Sequence, residues 1–293
     1  SPELGTRQRP PFSPPHSISV MPDYQPFLDF ALALAEAAED EIMPRFRTAA
    51  VARKSDGTEV TEADREAERR MRALIAERYP DHAVLGEEFG ADARTSSRYQ
   101  WVLDPVDGTA GFTIGVPLFG TLVGLLEDGD PVVGVIHFPG IGETVYAARG
   151  AGCWFRADDV APKRVRVDPV EALEAATVST TGPHSSDIAA ADGQTPYRLT
   201  ALIRRAGKFR FVTDCMQHAL VCRGRIHAAV DTLMAPWDVA ALVPCVEEAG
   251  GVAMTLDGAR DGVVFGGSLV TAGSEALAHA VRRVLQPGEQ TAG

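Results

Sequence analysis

The sequence predicts an α+β or mixed α/β fold in which helices layer against sheets. Two observations support this: helical periodicity marks both ends of the chain, and short apolar, strand-like runs fill the middle. The 293 residues, 45% of them hydrophobic, suffice for one large domain or two closely packed halves. We expect a disordered or non-native leader over 1–20, an N-terminal α+β half over 21–160 and a C-terminal α/β half over 161–293.

The N-terminal half begins with two predicted helices. Apolar residues recur at helical spacing from Pro26 to about Phe46, and a capping-box pattern at Thr61 to Asp64 opens a second helix that ends before Pro80. The strand-like runs that follow are 83–85, 101–103, 118–126, 131–138, 144–148 and 152–155. We expect these runs to form an antiparallel sheet that carries most of the metal ligands at its strand ends.

The C-terminal half alternates strands and helices. The predicted strands are 176–180, 209–212, 227–230, 252–256 and 268–271, and the predicted helices are 196–206, 239–248 and 274–285. Gly250 and Gly251 end the second of these helices. We expect this half to supply the remaining residues of a functional site whose other residues lie in the N-terminal half.

The charge balance limits the partners. Lysine and arginine total 28 against 40 aspartate and glutamate residues, a formal charge of −12. This argues against binding of nucleic-acid polymers or anionic membranes through a basic surface, but not against a small anionic substrate beside a metal. The four cysteines lack paired spacing, and no apolar run spans a bilayer, so we expect free thiols in a cytoplasmic protein.

Carboxylates stand where predicted elements begin or end. They are Asp64, Glu87, Asp104, Asp107 and Asp238. Two aspartates as close as Asp104 and Asp107 repel unless a cation lies between them, and oxygen ligands favour Mg²⁺. Each residue also has an ordinary structural explanation: helix caps for Asp64 and Asp238, a solvated loop for Glu87 and an acidic turn for the pair.

Four motifs occur in a fixed order along the chain. They are the segment 54–64, Gly-Glu-Glu at 86–88, Asp-Pro-Val-Asp-Gly-Thr at 104–109 with Phe112, and Trp-Asp-Val-Ala-Ala at 237–241 with Glu-Ala-Gly-Gly at 248–251. Together they resemble the inositol monophosphatase-like superfamily of Mg²⁺-dependent phosphatases. The resemblance implies a layered α-β-α-β-α sandwich, a small phosphorylated metabolite as substrate and a homodimer.

The resemblance also implies a ligand set for two or three Mg²⁺ ions. Glu87 and Asp104 would bind the first ion with the backbone carbonyl of Val106. Asp104 would bridge to a second ion that Asp107 and Asp238 also hold. Glu87 would contact a third, looser ion and so belongs among the catalytic residues.

The remaining roles concern water and phosphate. Thr109, paired with Asp64, would orient and deprotonate the attacking water, and the amides around Gly108 and Thr109 would hold the phosphate. Lys54 lies in the family's loop near the site. Paired cations about 4 Å apart neutralise a phosphate and activate water, so no nucleophilic serine or cysteine is needed.

Further segments resemble the histidinol-phosphatase branch, namely 115–122, 148–153, 179–183 and 210–215. The substrate-binding candidates are Arg210, Asp214 and Asp231. Asp231 stands where many relatives carry a glutamate that contacts the leaving group, and His218 stands where tyrosine is common. We expect His218 to be a core or surface histidine rather than a catalytic base.

The leading functional hypothesis is therefore a phosphate-monoester hydrolase with L-histidinol phosphate as substrate. The first alternative is an inositol, sugar or nucleoside monophosphate phosphatase, including one of specialised metabolism. An alternative of another class is a noncatalytic metal- or phosphate-binding protein.

Overall fold

A computed structural model describes residues 23–48, 50–53, 59–94, 97–158, 160–190 and 196–287. Its helices are α1 Gln25–Ile42, α2 Glu62–Arg78, α3 Thr109–Thr113, α4 Leu199–Arg205, α5 Asp214–Cys222, α6 Pro236–Val239, α7 Leu242–Glu248 and α8 Glu275–Leu285. Its strands are β1 Val51–Arg53, β2 Glu59–Thr61, β3 Ala83–Gly86, β4 Gly90–Ala91, β5 Tyr99–Asp107, β6 Gly120–Glu127, β7 Asp130–Phe138, β8 Glu143–Ala148, β9 Gly152–Ala157, β10 Val160–Arg164, β11 Thr177–Thr180, β12 Lys208–Phe211, β13 Ala228–Asp231, β14 Val252–Met254 and β15 Leu269–Ala272. The leader lies outside the described residues.

The larger sheet has eight strands in the order β10-β9-β8-β7-β6-β5-β3-β4. One of its faces packs on α1 and α2, where Leu34, Met71 and Trp101 are fully buried. The prediction of a wholly antiparallel sheet was wrong at one pair, because β3 and β5 are parallel. The antiparallel β4 returns the chain along the edge beyond β3, so that β5 starts from the same end of the sheet as β3.

The opposite face of this sheet packs on α5, α6 and α7. These helices also cover a five-stranded sheet of order β12-β11-β13-β15-β14, whose far side packs on α4 and α8. The resulting layers are α-β-α-β-α, which confirms the predicted fold. Alternate residues of β14 and β15 point to opposite faces of this sheet. Ala253 and Leu269 pack in the core beneath α5, α6 and α7, whereas Met254 and Val270 pack in the core beneath α4 and α8.

Three helical regions differ from prediction, and one of them is the short α3, which was not predicted. The helix predicted from Val239 begins earlier, at Pro236, and breaks before α7. Pro244 has no N–H to donate to the carbonyl of Ala240, so the helical hydrogen bonds are interrupted there, although Ala240 and Ala241 keep right-handed helical backbone angles. The helix α5 was not predicted at all, because its apolar residues do not stand out from a segment interpreted as a binding motif.

The fold brings together the ends of β3 and β5 and the first turns of α2 and α6. β5 and β6 pair regularly up to Asp104, shift register, and pair again at Asp107. The bulge lets two aspartates three residues apart approach the same side. In the part of the chain that the structure describes, we find no helix with the length and apolar character needed to cross a membrane.

Candidate active site

Three aspartates form the centre of the site, and we call Asp104, Asp107 and Asp238 the acidic trio. One carboxylate oxygen from each lies within 4.8 Å of the corresponding oxygens of the other two. Backbone N–H groups fix all three carboxylates. Val106 donates to Asp104 Oδ1 at 3.0 Å, Cys215 to Asp107 Oδ2 at 2.7 Å and Ala235 to Asp238 Oδ2 at 2.7 Å.

The trio is electrostatically strained. Burial, then the charges of neighbouring carboxylates, raises the pKa values of Asp104 and Asp107 well above their ordinary range. Burial also raises the pKa of Asp238 to about 7. Within the described residues, no lysine or arginine forms a salt bridge with the trio. Converging oxygen donors without such a partner fit a hard divalent cation, and Mg²⁺ suits this chemistry.

Glu87 is not one of the three carboxylates within that distance, but it lies beside them. It follows β3, and its N–H donates to the carbonyl of Leu103 at 3.1 Å. Its charge raises the pKa values of Asp64, Asp104 and Asp238, and it also shares a hydrogen bond with Asp104. Glu87 therefore lies beside the trio, and its role as a metal ligand stays a prediction.

A residue missed by sequence reasoning supports the Glu87 loop. Glu68, on α2, is fully buried and accepts hydrogen bonds from the backbone N–H groups of Glu88 at 2.7 Å and Phe89 at 3.3 Å. Arg72 Nε donates to the same carboxylate at 2.7 Å. A Cβ on Gly86 would lie 2.1 Å from Glu68 Oε1, so the loop needs glycine there. The signal available in the sequence was a glutamate on the apolar face of an amphipathic helix.

Asp64 performs the capping role and the site role together. Its Oδ2 accepts from the N–H and the hydroxyl of Thr61 at 2.8 and 2.6 Å, which completes the predicted capping box. Its Oδ1 lies 3.2 Å from Thr109 Oγ1, and that hydroxyl is also 2.9 Å from the carbonyl of Val106. Burial raises the pKa of Asp64, against the opposing effect of the Thr61 hydrogen bonds. The Asp64 carboxylate is thus held against the Thr109 hydroxyl, where it can accept a proton beside the trio.

Gly108 begins the short helix α3 in a left-handed conformation, with φ of +87°. A Cβ at this position would lie 2.6 Å from Asp214 Oδ2, so both the backbone angle and the space require glycine. Asp214 itself has φ of +45°, donates its N–H to Thr181 Oγ1 at 3.0 Å, and accepts from the Thr213 hydroxyl. Two distant segments therefore meet at the Gly108 turn.

A cavity of about 170 Å³ opens beside the trio, and we call it the site cavity. Its walls combine acidic side chains with two apolar ones at Leu233 and Met234. The lining residues are Asp107, Thr181, His184, Asp214, Cys215, Asp231, Leu233, Met234 and Asp238. Among the residues that the structure describes, this lining contains no lysine or arginine.

The substrate-binding candidates divide in two. Asp214 and Asp231 line the site cavity, whereas Arg210 does not. Arg210 is exposed on the edge strand β12 and donates to the carbonyl of Phe209 at 2.8 Å. In the described part of the chain, no salt bridge joins Arg210 to Asp214. Lys54 lies outside the described residues.

Histidine and cysteine side chains complete the surroundings. His218 is fully buried, which agrees with the expectation of a core histidine, and its hydrogen bonds reach Asp231 and Thr271. All four cysteines are free and buried, as expected. Sequence reasoning did not find Thr181 or Gln217, whose partners are distant in the chain.

Comparison with known proteins places this geometry in a family. The inositol monophosphatase family pattern matches residues 23–287. A histidinol-phosphatase of Chlorobaculum parvum is 39% identical over 249 residues, 84% of this chain and 92% of that protein. One from Mycobacterium tuberculosis is 37% identical over 233 residues, 79% of this chain and 88% of that protein. The structure of an inositol monophosphatase from Zymomonas mobilis superposes with a TM-score of 0.76 at 28% identity, covering 90% of this chain and 98% of that one. The chain therefore belongs to the inositol monophosphatase family, whose members are phosphoric monoester hydrolases.

Proposed function

We propose that this protein is a Mg²⁺-dependent phosphate-monoester hydrolase that uses water as its nucleophile. The single observation that carries the proposal is the acidic trio, with Thr109 and Asp64 beside it. One buried and two half-buried carboxylates without a salt-bridged lysine or arginine among the described residues are costly to fold, so their convergence fits a charged ligand better than a structural role.

The metal would be held by Asp104, Asp107, Asp238 and Glu87, with the carbonyl of Val106. Bound Mg²⁺ supplies charge neutralisation for the phosphoryl oxygens and lowers the pKa of water. Thr109 orients the attacking water, and Asp64 Oδ1 takes up the proton through the Thr109 hydroxyl at 3.2 Å. The Gly108 turn gives a phosphate close access to backbone amides.

We further propose L-histidinol phosphate as the substrate. Its leaving group carries an ammonium group and an imidazole ring. The site cavity offers Asp214 and Asp231 for a cation and Leu233 and Met234 for a flat ring, and the described residues that line it include no lysine or arginine. The likeness to the histidinol-phosphatases of Chlorobaculum parvum and Mycobacterium tuberculosis supports the same choice.

Inositol monophosphate is the second candidate, supported by the likeness to the Zymomonas mobilis enzyme. A neutral polyol could donate hydroxyl groups to the same carboxylates, although it would gain less from their charge. A homodimer remains a prediction from the resemblance, and a cytoplasmic location remains a prediction from the unpaired cysteines and the lack of a membrane-spanning apolar run.

The deciding experiment measures phosphate release with Mg²⁺ and with EDTA. The panel contains L-histidinol phosphate, inositol 1-phosphate, a sugar phosphate and a nucleoside monophosphate. We expect Mg²⁺-dependent release with the highest kcat/KM for L-histidinol phosphate. Preference for another ester would overturn the substrate, and no release from any ester would support the noncatalytic alternative.

A further inference from the structure

Asp231 is held by three hydrogen bonds at the wall of the site cavity. Its side chain is 13% exposed at the end of β13. Oδ2 accepts from Gln217 Nε2 at 2.6 Å and lies 3.1 Å from His218 Nε2. Oδ1 accepts the N–H of Thr181 at a longer 3.3 Å. Oδ2 is thus occupied by two side chains of α5, whereas Oδ1 makes one long bond.

His218 is fixed at both ring nitrogens. Its side chain is fully buried, with Nδ1 2.8 Å from Thr271 Oγ1 and Nε2 at Asp231. A carboxylate only accepts, so Nε2 donates to Asp231, and in the neutral ring Nδ1 accepts the Thr271 hydroxyl proton. Thr271 lies on β15, paired with Ala229 of the adjacent strand β13. The imidazole therefore bridges two neighbouring strands and cannot rotate without losing a hydrogen bond.

Gln217 is oriented to serve the same carboxylate. Its Nε2 donates both to Asp231 and to Thr181 Oγ1 at 3.0 Å, while its buried Oε1 has no hydrogen-bond partner in the described part of the chain. A buried acceptor without a partner is unfavourable. Turning the amide over would place Oε1 against the Asp231 carboxylate, so the existing orientation is the better of the two.

From these contacts we propose that His218 is a positioning residue that sets substrate selectivity through Asp231. By occupying Oδ2, it keeps Oδ1 directed to the site cavity, where that oxygen binds a cationic nitrogen on the leaving group of the phosphate ester. The inference rests on the proposed hydrolase function. Beyond that function, it assigns His218 as the residue that orients the Asp231 carboxylate, and a positive charge to the leaving group that Asp231 selects.

The test compares one cationic and one neutral leaving group. The esters are L-histidinol phosphate and glycerol 2-phosphate, assayed for phosphate release with Mg²⁺. His218→Phe keeps a buried ring but donates nothing to Asp231, and we expect it to lower the ratio of the two kcat/KM values at least about tenfold, mainly through KM for the cationic ester. His218→Gln places a donor near the former Nε2 and should recover most of the ratio. An unchanged ratio in His218→Phe would overturn the proposal.

A double-mutant cycle separates positioning from general support of the fold. Asp231→Asn should lower the ratio by itself, and adding His218→Phe to it should lower the ratio no further. Full additivity of the two losses would overturn the proposal. If His218→Phe does not fold, Thr271→Val carries the test, because it removes the hydroxyl that orients the ring, and it must lower the same ratio. If the unaltered protein releases phosphate from neither of these esters nor from any other ester of the panel given above, the proposed function itself is refuted.

Discussion

Glu68 is predicted to hold the loop that carries Glu87, and Glu68→Gln tests that role. The carboxylate accepts from Arg72 Nε and the Phe89 N–H through Oε1, and from the Glu88 N–H through Oε2. A glutamine amide has one acceptor oxygen in the same space. Whichever way it turns, its NH₂ group faces a donor that Glu68 now satisfies.

The expected loss of stability follows from these contacts. One buried donor left facing another costs about 1–3 kcal/mol. Losing a buried ion pair adds to this, but Arg72 keeps 20% of its side chain exposed and can be partly rehydrated. We therefore expect Glu68→Gln to lower the free energy of unfolding by about 3 kcal/mol. Because the loop loses its anchor, the Mg²⁺ concentration for half-maximal activity should rise about tenfold or more.

Glu66→Gln is the matched control on the same helix. Glu66 pairs with Arg69 at the surface, where their side chains are 33% and 54% exposed, so its loss should cost less than about 1 kcal/mol. Urea unfolding and Mg²⁺ titration of both variants provide the readouts. If Glu68→Gln is destabilised but binds Mg²⁺ like Glu66→Gln, the link between Glu68 and the metal site is refuted. Gly86→Ala, whose Cβ would displace the Glu68 carboxylate, should reproduce the phenotype independently.

Three further predictions concern the acidic trio and the pair formed by Asp64 and Thr109. Asp104→Asn should abolish Mg²⁺-dependent phosphate release. It should not lower the unfolding temperature in EDTA, because it removes a buried charge among like charges. Phosphate release at the normal rate would contradict the assignment of Asp104 as a metal ligand. The pKa of Asp238 is about 7 in the folded protein against an ordinary 3.8, so the folded state binds more protons than the unfolded state between about pH 4 and 7. Urea unfolding in EDTA should therefore show a free energy of unfolding that falls as the pH rises through this window. Mg²⁺ should reduce this dependence, and a rise in stability with pH across the window would refute the assigned burial. Thr109→Val should lower kcat by about 10²-fold or more while Thr109→Ser retains most activity, measured by phosphate release, and equal rates for the two would exclude the hydroxyl from water activation.

The sequence was most informative where charges stand at element boundaries. Helical spacing and the capping box located α1 and α2, and the family resemblance carried by the motifs implied the five-layer architecture. It could not reveal that Asp64 uses one oxygen for the cap and the other for Thr109, because both uses suit the same residue at the same position. Nor could it place Arg210, since the direction of an exposed side chain on an edge strand depends on neighbours far away in the chain.

The two ends of the site differ in what holds them, and this explains why one was predictable and the other was not. Backbone N–H groups of Val106, Cys215 and Ala235 fix the acidic trio, so its geometry follows from the fold and survives changes of most side chains. Asp231 is held mainly by Gln217 and His218 of α5 together with the Thr181 N–H, and Thr271 of β15 in turn holds His218. On the proposed roles, phosphate chemistry depends on a trio held by the backbone, whereas leaving-group selectivity depends on side chains that single substitutions can change. His218, where the resemblance implies tyrosine in many relatives, is such a side chain, and its exchange would alter the proposed substrate preference.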